Sequence, residues 1–218
     1  MGLRERKKEQ TRQLIADTAA RLFADDGFDR VTVADVAREA QVAVATVFNY
    51  FPTKEDLFYS RLDTFGARLV EAIGQREPGE PVLTAFRRHL MAAGGLLARA
   101  EAGDRDAFDR LRAVNQTIAA SPALLARERR ATADHTESLA AFLATEAGDP
   151  FLAQVVADAL MGVHRALVDH VRRGVLAGDE PARLAADVRD RCARALDLLE
   201  HGLHAYPKEA PHVHLDQS

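Results

Sequence analysis

The stretch that decides the fold is TVADVAREAQVAVATVFNYFPTKEDLF, Thr32 to Phe58. Two very short helical patterns flank a few non-periodic residues, and Asn49 and Tyr50 then stand close to a proline and a lysine. Thr32 is a good N-cap and Asp35 holds the N3 position, where a carboxylate favours the positive end of a helix, so a helix is expected from Thr32 to about Ala40. A second is expected over Val44 to Tyr50, stopped by Pro52. Val44, Val47 and Phe51 fall at i, i+3 and i+7 and form one apolar face, which turns Thr46, Asn49, Tyr50 and Thr53 elsewhere. A helix of barely two turns is not stable alone. Val33, Val36 and Ala37 of the preceding helix offer it a packing surface, and two short helices joined by a tight turn, with one face of the second left free, describe a helix-turn-helix.

The free face has the chemistry to read DNA. Asparagine bonds adenine bidentately, threonine offers a hydroxyl and a methyl, and tyrosine reaches a phosphate or stacks on sugar and thymine methyl. Lys54, at the start of the next helix, and Thr32, capping the second one, are placed to hold phosphates with backbone N–H groups. The chain as a whole is acidic, with 29 basic and 33 acidic residues and a net charge of −4, so any nucleic-acid surface must be local. MGLRERKKEQTR supplies one candidate: Arg4, Arg6, Lys7, Lys8 and Arg12 against two glutamates. A solvated, unstructured start is the plainer reading of the same charges.

Outward from this stretch, apolar residues recur at three- and four-residue spacing and β-branched runs are short, so the chain is expected to be all-α. A first helix is expected over about Arg6 to Asp25, with Leu14, Ile15, Thr18, Ala19, Leu22 and Phe23 inward and Gly27 ending it. A long fourth helix begins after Thr53 and carries Phe58, Leu62, Phe65, Leu69 and Ile73. Five more are expected at roughly 81–102, 105–120, 122–147, 150–174 and 181–203, with Pro122, Pro150 and Pro181 in first turns where proline is tolerated. The domains expected are 1–52, a three-helix DNA-binding head; 53–205, a larger helical body joined through the fourth helix; and 206–218, a tail with little to bury. One cysteine, Cys192, rules out an intrachain disulfide and fits a reducing compartment. No signal-peptide core is present, and no run approaches the roughly 20 apolar residues of a membrane span. A cytoplasmic protein with no membrane partner is expected.

The segment from Thr11 to Phe58 resembles the DNA-binding domain of the tetracycline-repressor (TetR) family of bacterial transcription regulators. The residues that carry the likeness are AARLFADDGF at the end of the first helix, TVADVAREA, and Thr46, Tyr50-Phe51 and Lys54 at the family spacing. The resemblance implies a homodimer that sets one recognition helix per subunit into successive major grooves of a near-palindromic operator, commonly as a repressor, and is released by a small-molecule inducer. It places Val44, Ala45, Thr46, Asn49 and Tyr50 toward the groove, and Phe48, Thr32 and Lys54 at the backbone. Three residues depart from the family pattern. Gln41 stands where glycine is common and must take a positive φ at some cost or change the turn. Ala43 replaces a capping Ser or Thr, and Phe48 replaces a tyrosine and loses its hydroxyl.

In the larger body, polar or aromatic residues that interrupt apolar faces are the candidate ligand contacts: Phe65, Phe86, His89, Met91, Phe108, Arg112, Asn115, Gln116 and His135. Each is also an ordinary surface or core residue of a bundle. The last two helices carry stripes of small and apolar residues, Val155, Ala159, Gly162, Val163, Ala166 and Leu167 in one and Leu184, Val188, Cys192, Ala195 and Leu199 in the other. These are either interior core or, as the resemblance suggests, a four-helix dimer seam. No cofactor or metal site is read from the sequence, since His164 and His170 lie nearly opposite on one helix. A helical-bundle enzyme using His89 or His135 with Asp134 has no nucleophile motif or phosphate-cradling loop to support it. A protein-interaction module whose helix-turn-helix does not bind DNA is the remaining alternative.

Overall fold

The computed structural model describes residues 2–60, 65–92 and 95–202, the side chains of residues 3 and 65–67 excepted. Among these residues all regular structure is helical. The head comprises α1 (Leu3–Asp26), α2 (Val33–Glu39) and α3 (Val44–Tyr50), followed by α4 (Lys54–Tyr59). Its core gathers Ile15, Ala19, Phe23, Phe28, Val36, Val47, Phe51 and Leu57. The inward stripe of α1 is Ile15, Thr18, Ala19 and Phe23, whereas Leu14, expected inside, lies half exposed. It sits about 100° from Ile15, on the edge of the stripe beside Thr18. Likewise Val47 and Phe51 are buried but Val44 is exposed, so only the C-terminal part of the expected α3 face reaches the core.

The body comprises α5 (Phe65–Gly74), α6 (Val82–Ala92), α7 (Leu96–Glu101), α8 (Arg105–Ala120), α9 (Pro122–Ala147), α10 (Pro150–Ala177) and α11 (Pro181–His201). The expected long helix over 53–73 is described as two helices, α4 and α5, with residues 61–64 outside the described set. The helix expected over 81–102 is α6 and α7, the second capped by Gly95. Leu69, Ile73, Phe86, Leu139, Leu143, Leu160, Met161 and Leu196 form the second apolar cluster. Helix α9 contributes to both clusters, Leu124 to the head's and Leu139 and Leu143 to the body's, and Ile118 of α8 also packs into the core of the head.

Against expectation, α10 holds an 18-residue window of mean hydropathy 1.4, long and apolar enough on composition to cross a bilayer. It packs against α8, α9 and α11 as a bundle helix, yet only 22% of that window is buried. At its far end Gly174 permits close approach to α11, since a Cβ there would stand 2.5 Å from Leu184 Cδ1. Of the residues placed on the candidate dimer stripes, Leu167 and Cys192 are buried in the second cluster, Val163, Val188 and Leu199 pack against it, and Leu184 is buried beside Gly174. The predicted tail, 206–218, lies outside the described residues.

Candidate functional site

Two capping boxes set the geometry of the head. Thr32 Oγ1 donates to Asp35 Oδ2 at 2.6 Å and accepts from Asp35 N–H at 3.2 Å, while Thr32 N–H donates to the same carboxylate at 2.9 Å. These bonds, with Arg38 beside them, hold the Asp35 carboxyl at a pKa of about 2. Thr53 and Asp56 repeat the arrangement at the start of α4. The turn between α2 and α3 is a Schellman closure. Val42 N–H donates to Ala37 O at 2.9 Å, Gln41 N–H to Arg38 O at 3.2 Å, and Gln41 takes φ 55°. The chain therefore keeps the positive-φ turn at a position occupied by glutamine, at a cost of about 1–2 kcal/mol. α3 then starts from Ala43 with no side-chain cap.

On α3 the side chains of Val44, Ala45, Phe48 and Asn49 are exposed, whereas Thr46 and Tyr50 are half buried, Tyr50 packing against the head core. The exposed phenyl ring of Phe48 is a large apolar group on an otherwise solvated face. Thr32 is exposed, but its hydroxyl hydrogen is committed to Asp35. Lys54 is drawn inward: its ammonium lies 4.2 Å from the centroid of the Phe28 ring and 3.4 Å from Asp29 O. Arg4, Arg6 and Lys7 are exposed on the first turns of α1, so this basic segment is helical rather than an unstructured arm. Glu5 accepts from Gly2 N–H at 2.9 Å.

A cavity of about 670 Å³ lies in the body and reaches the head. Of the residues proposed from sequence, Met91, Asn115 and His135 line it. Phe86 is fully buried in the second cluster. Phe108 sits beneath the Arg112 guanidinium, 5.4 Å from ring centroid to Cζ. Gln116 faces solvent, and Phe65 has a side chain outside the described set. His89 is not among the lining residues, but it stands near enough to contribute to the His164 shift.

The lining that sequence reasoning missed includes Tyr59, Glu128, His164 and Arg172. A signal for two of them was present: His164, Val168 and Arg172 fall at i, i+4 and i+8 on one side of α10. Arg172 is buried and donates to Glu128 at 2.6 Å and to Asn115 Oδ1 at 3.3 Å. Burial, reinforced by His135 and His89, lowers the His164 pKa to about 4, and burial pushes the Cys192 thiol up. His170, in contrast, bonds Asp187 at 2.6 Å and ties α10 to α11.

Head and cavity share walls. Ile118 lines the cavity and packs in the head core. Tyr59 donates its hydroxyl to Leu124 O at 3.2 Å, and Arg127 Nε donates to Asp56 Oδ1 at 2.6 Å. Burial raises the Asp56 pKa, but hydrogen bonds from Arg127 and Thr53 outweigh it and hold the carboxyl below its ordinary range.

Comparison with known proteins meets this geometry at the head. The family described as "Bacterial regulatory proteins, tetR family" matches residues 15–60. The HTH-type transcriptional regulator LuxR of Vibrio harveyi is 54% identical over 46 residues, 21% of this chain and 22% of that protein. The HTH-type transcriptional regulator TcmR of Streptomyces glaucescens is 28% identical over 149 residues, 67% of this chain; the match spans 65% of TcmR, just under two thirds of its length. A TetR-family transcriptional regulator from Syntrophomonas wolfei str. Goettingen shares the fold, with a TM-score of 0.54 at 16% identity over 91% of this chain and 99% of that one. The capped helix-turn-helix head is thus a TetR-family DNA-binding domain over residues 15–60, and the chain as a whole is similar to TetR-family bacterial transcriptional regulators.

Proposed function

We propose that this regulator is a ligand-responsive repressor that binds a near-palindromic operator as a homodimer and releases it when a small molecule fills the cavity of the body. Residues 1–52 form the reading head and 53–205 the effector and dimerisation body. The protein works in the cytoplasm and performs no catalysis. The observation that carries the reading is the shared wall: Ile118 belongs to both the cavity and the head core, and α9 bonds α4 through Leu124 and Arg127. A molecule that displaces this wall changes the position of α3.

In this assignment Val44, Ala45, Thr46, Asn49 and Tyr50 face the groove, with Phe48, Thr32 and Lys54 at the backbone and Arg4, Arg6 and Lys7 adding charge. Asp35 engages both the hydroxyl and the N–H of Thr32, so Thr32 would have to release one of these bonds, and Lys54 would have to leave Phe28, to reach a phosphate. The dimer surface is supported by α10, where Phe151, Leu152, Val155 and Val156 are 74%, 55%, 49% and 41% exposed. Ala159, Gly162, Val163 and Ala166 continue the face with small or half-buried residues, and Ala195 of α11 is half buried. A cluster of this kind on a soluble chain calls for a cover, and a two-fold mate supplies one.

The test is fluorescence anisotropy on labelled DNA from the chain's own upstream region at two salt concentrations, with a scrambled duplex as control. Selective binding that falls by about 0.9 log units per neutralised phosphate per log unit of salt supports the reading. Equal binding to both duplexes would defeat it.

A further inference from the structure

The charges around the cavity select among ligand chemistries. Four arginines and three carboxylates line it. The buried Arg172 donates to Glu128 at 2.6 Å and has Asp169 at 3.7 Å. Arg189 and Glu101 meet through two hydrogen bonds of 2.7 Å each. The other two cations, Arg129 and Arg165, are exposed, where water screens them. The Asn115 amide is also committed, donating to Leu111 O at 2.8 Å and accepting from Arg172. Thr132 donates to Glu128 O at 3.1 Å, leaving its oxygen to accept. Leu97, Leu111, Val114, Leu125, Val168 and Val188 supply apolar wall. His164 is uncharged at neutral pH and Cys192 stays a thiol, which is consistent with this balance.

An ionised ligand would lose its hydration and, among the described lining residues, find no opposite charge in the interior that is not already paired. Otherwise it must separate an existing ion pair and leave the abandoned member buried and uncompensated. An uncharged apolar molecule meets neither cost, and the cavity volume suits a drug-sized ligand. We infer that the cavity takes an uncharged, largely apolar small molecule and discriminates against carboxylate and ammonium forms of the same skeleton. This rests on the cavity being the effector site.

The test uses the full chain and Nile red, an uncharged dye that brightens in apolar surroundings. Displacement is measured with decan-1-ol, decanoate and decyltrimethylammonium, which share a tail and differ in head-group charge. Decanol is expected to displace the dye at a concentration at least tenfold lower than either ion. Glu128→Gln leaves Arg172 with less counter-charge and is expected to narrow the gap for decanoate alone. Decanoate or the ammonium matching decanol in the unaltered chain would overturn the charge selection and leave the cavity as the effector site. If Val168→Trp, which fills the cavity, folds with its thermal transition intact but binds the dye as well as the unaltered chain, the dye sits elsewhere. Both the effector reading and this inference would then fall.

Discussion

Replacing Arg127 by alanine breaks the bond that ties α9 to the first turn of α4. Arg127 and Asp56 are 23% and 22% exposed, and the Nε to Oδ1 distance is 2.6 Å. A hydrogen bond to a charged group in such a setting contributes about 1.5–3 kcal/mol. Arg127→Ala is therefore expected to cost about 2 kcal/mol, a fall in melting temperature of about 4–8 °C for a chain of this size. Asp56→Ala removes the same bond and the acceptor that caps α4 through Thr53 N–H at 3.1 Å, so about 3 kcal/mol is expected. Because the two variants remove one shared interaction, the double variant should cost at least about 1 kcal/mol less than the two single losses together. Urea denaturation of the four proteins at one fixed concentration measures this, the concentration being held because the proposed dimerisation would also contribute to stability.

The sign of the acid dependence gives a second readout. The folded pKa of Asp56 lies below its ordinary value, so its contribution is fully present above the ordinary carboxylate range and is lost as pH falls through the depressed value. Arg127→Ala should reduce that acid-side loss. A coupling energy below about 0.5 kcal/mol, within the scatter for independent sites, would show that the pair does not join α4 to α9 energetically.

Gln41→Gly removes the positive-φ cost and Ala43→Ser restores a cap, each expected to stabilise by about 1 kcal/mol as a raised urea midpoint. An unchanged midpoint in both would mean that the turn is relaxed by other contacts. Gly174→Ala drives a Cβ into the buried Leu184 and is expected to cost about 1–3 kcal/mol on the same assay. His164 has a folded pKa of about 4 against an ordinary 6.5, so the unfolded chain binds the proton first. Stability should fall by an amount on the order of 3 kcal/mol as pH drops from about 6.5 to about 4, and His164→Gln should flatten that window in pH-dependent melting. Val155→Glu places a carboxylate on the exposed α10 face and should shift sedimentation toward monomer with helicity retained; an unchanged sedimentation coefficient would put the seam elsewhere.

The head was legible because its signals are local. Thr32 with Asp35 and Thr53 with Asp56 are capping pairs three residues apart, and both boxes form as the spacing requires. The turn was legible as a conflict at Gln41, and the positive φ settles which of its two outcomes occurs. Side-chain direction was less legible. Leu14 and Val44 match an apolar pattern yet face solvent, since an extra apolar residue beside a stripe leaves its angular centre uncertain. The cavity was harder still, because its lining is assembled from helices far apart in sequence. Asn115 and His135 were reachable as polar interruptions, but Glu128 reads as surface until Arg172 is brought against it from α10.

The position of that arginine bears on how the proposed release would work. Glu128, which holds Arg172 across the cavity, directly follows Arg127, which holds Asp56 on α4. Leu124 packs in the head while Leu125 lines the cavity. One turn of α9 therefore faces both ways, and it cannot shift on the cavity side without changing contacts on the head side, since packed interiors transmit displacement. A ligand changes operator affinity only by the difference in its own affinity for the two arrangements of that turn. The neutral class inferred for the ligand fits this requirement. An apolar molecule wedged between α8, α9 and α10 can move Leu125 and Ile118 while leaving the Arg172–Glu128 pair closed, so its binding energy goes into displacing the wall rather than into replacing a buried charge.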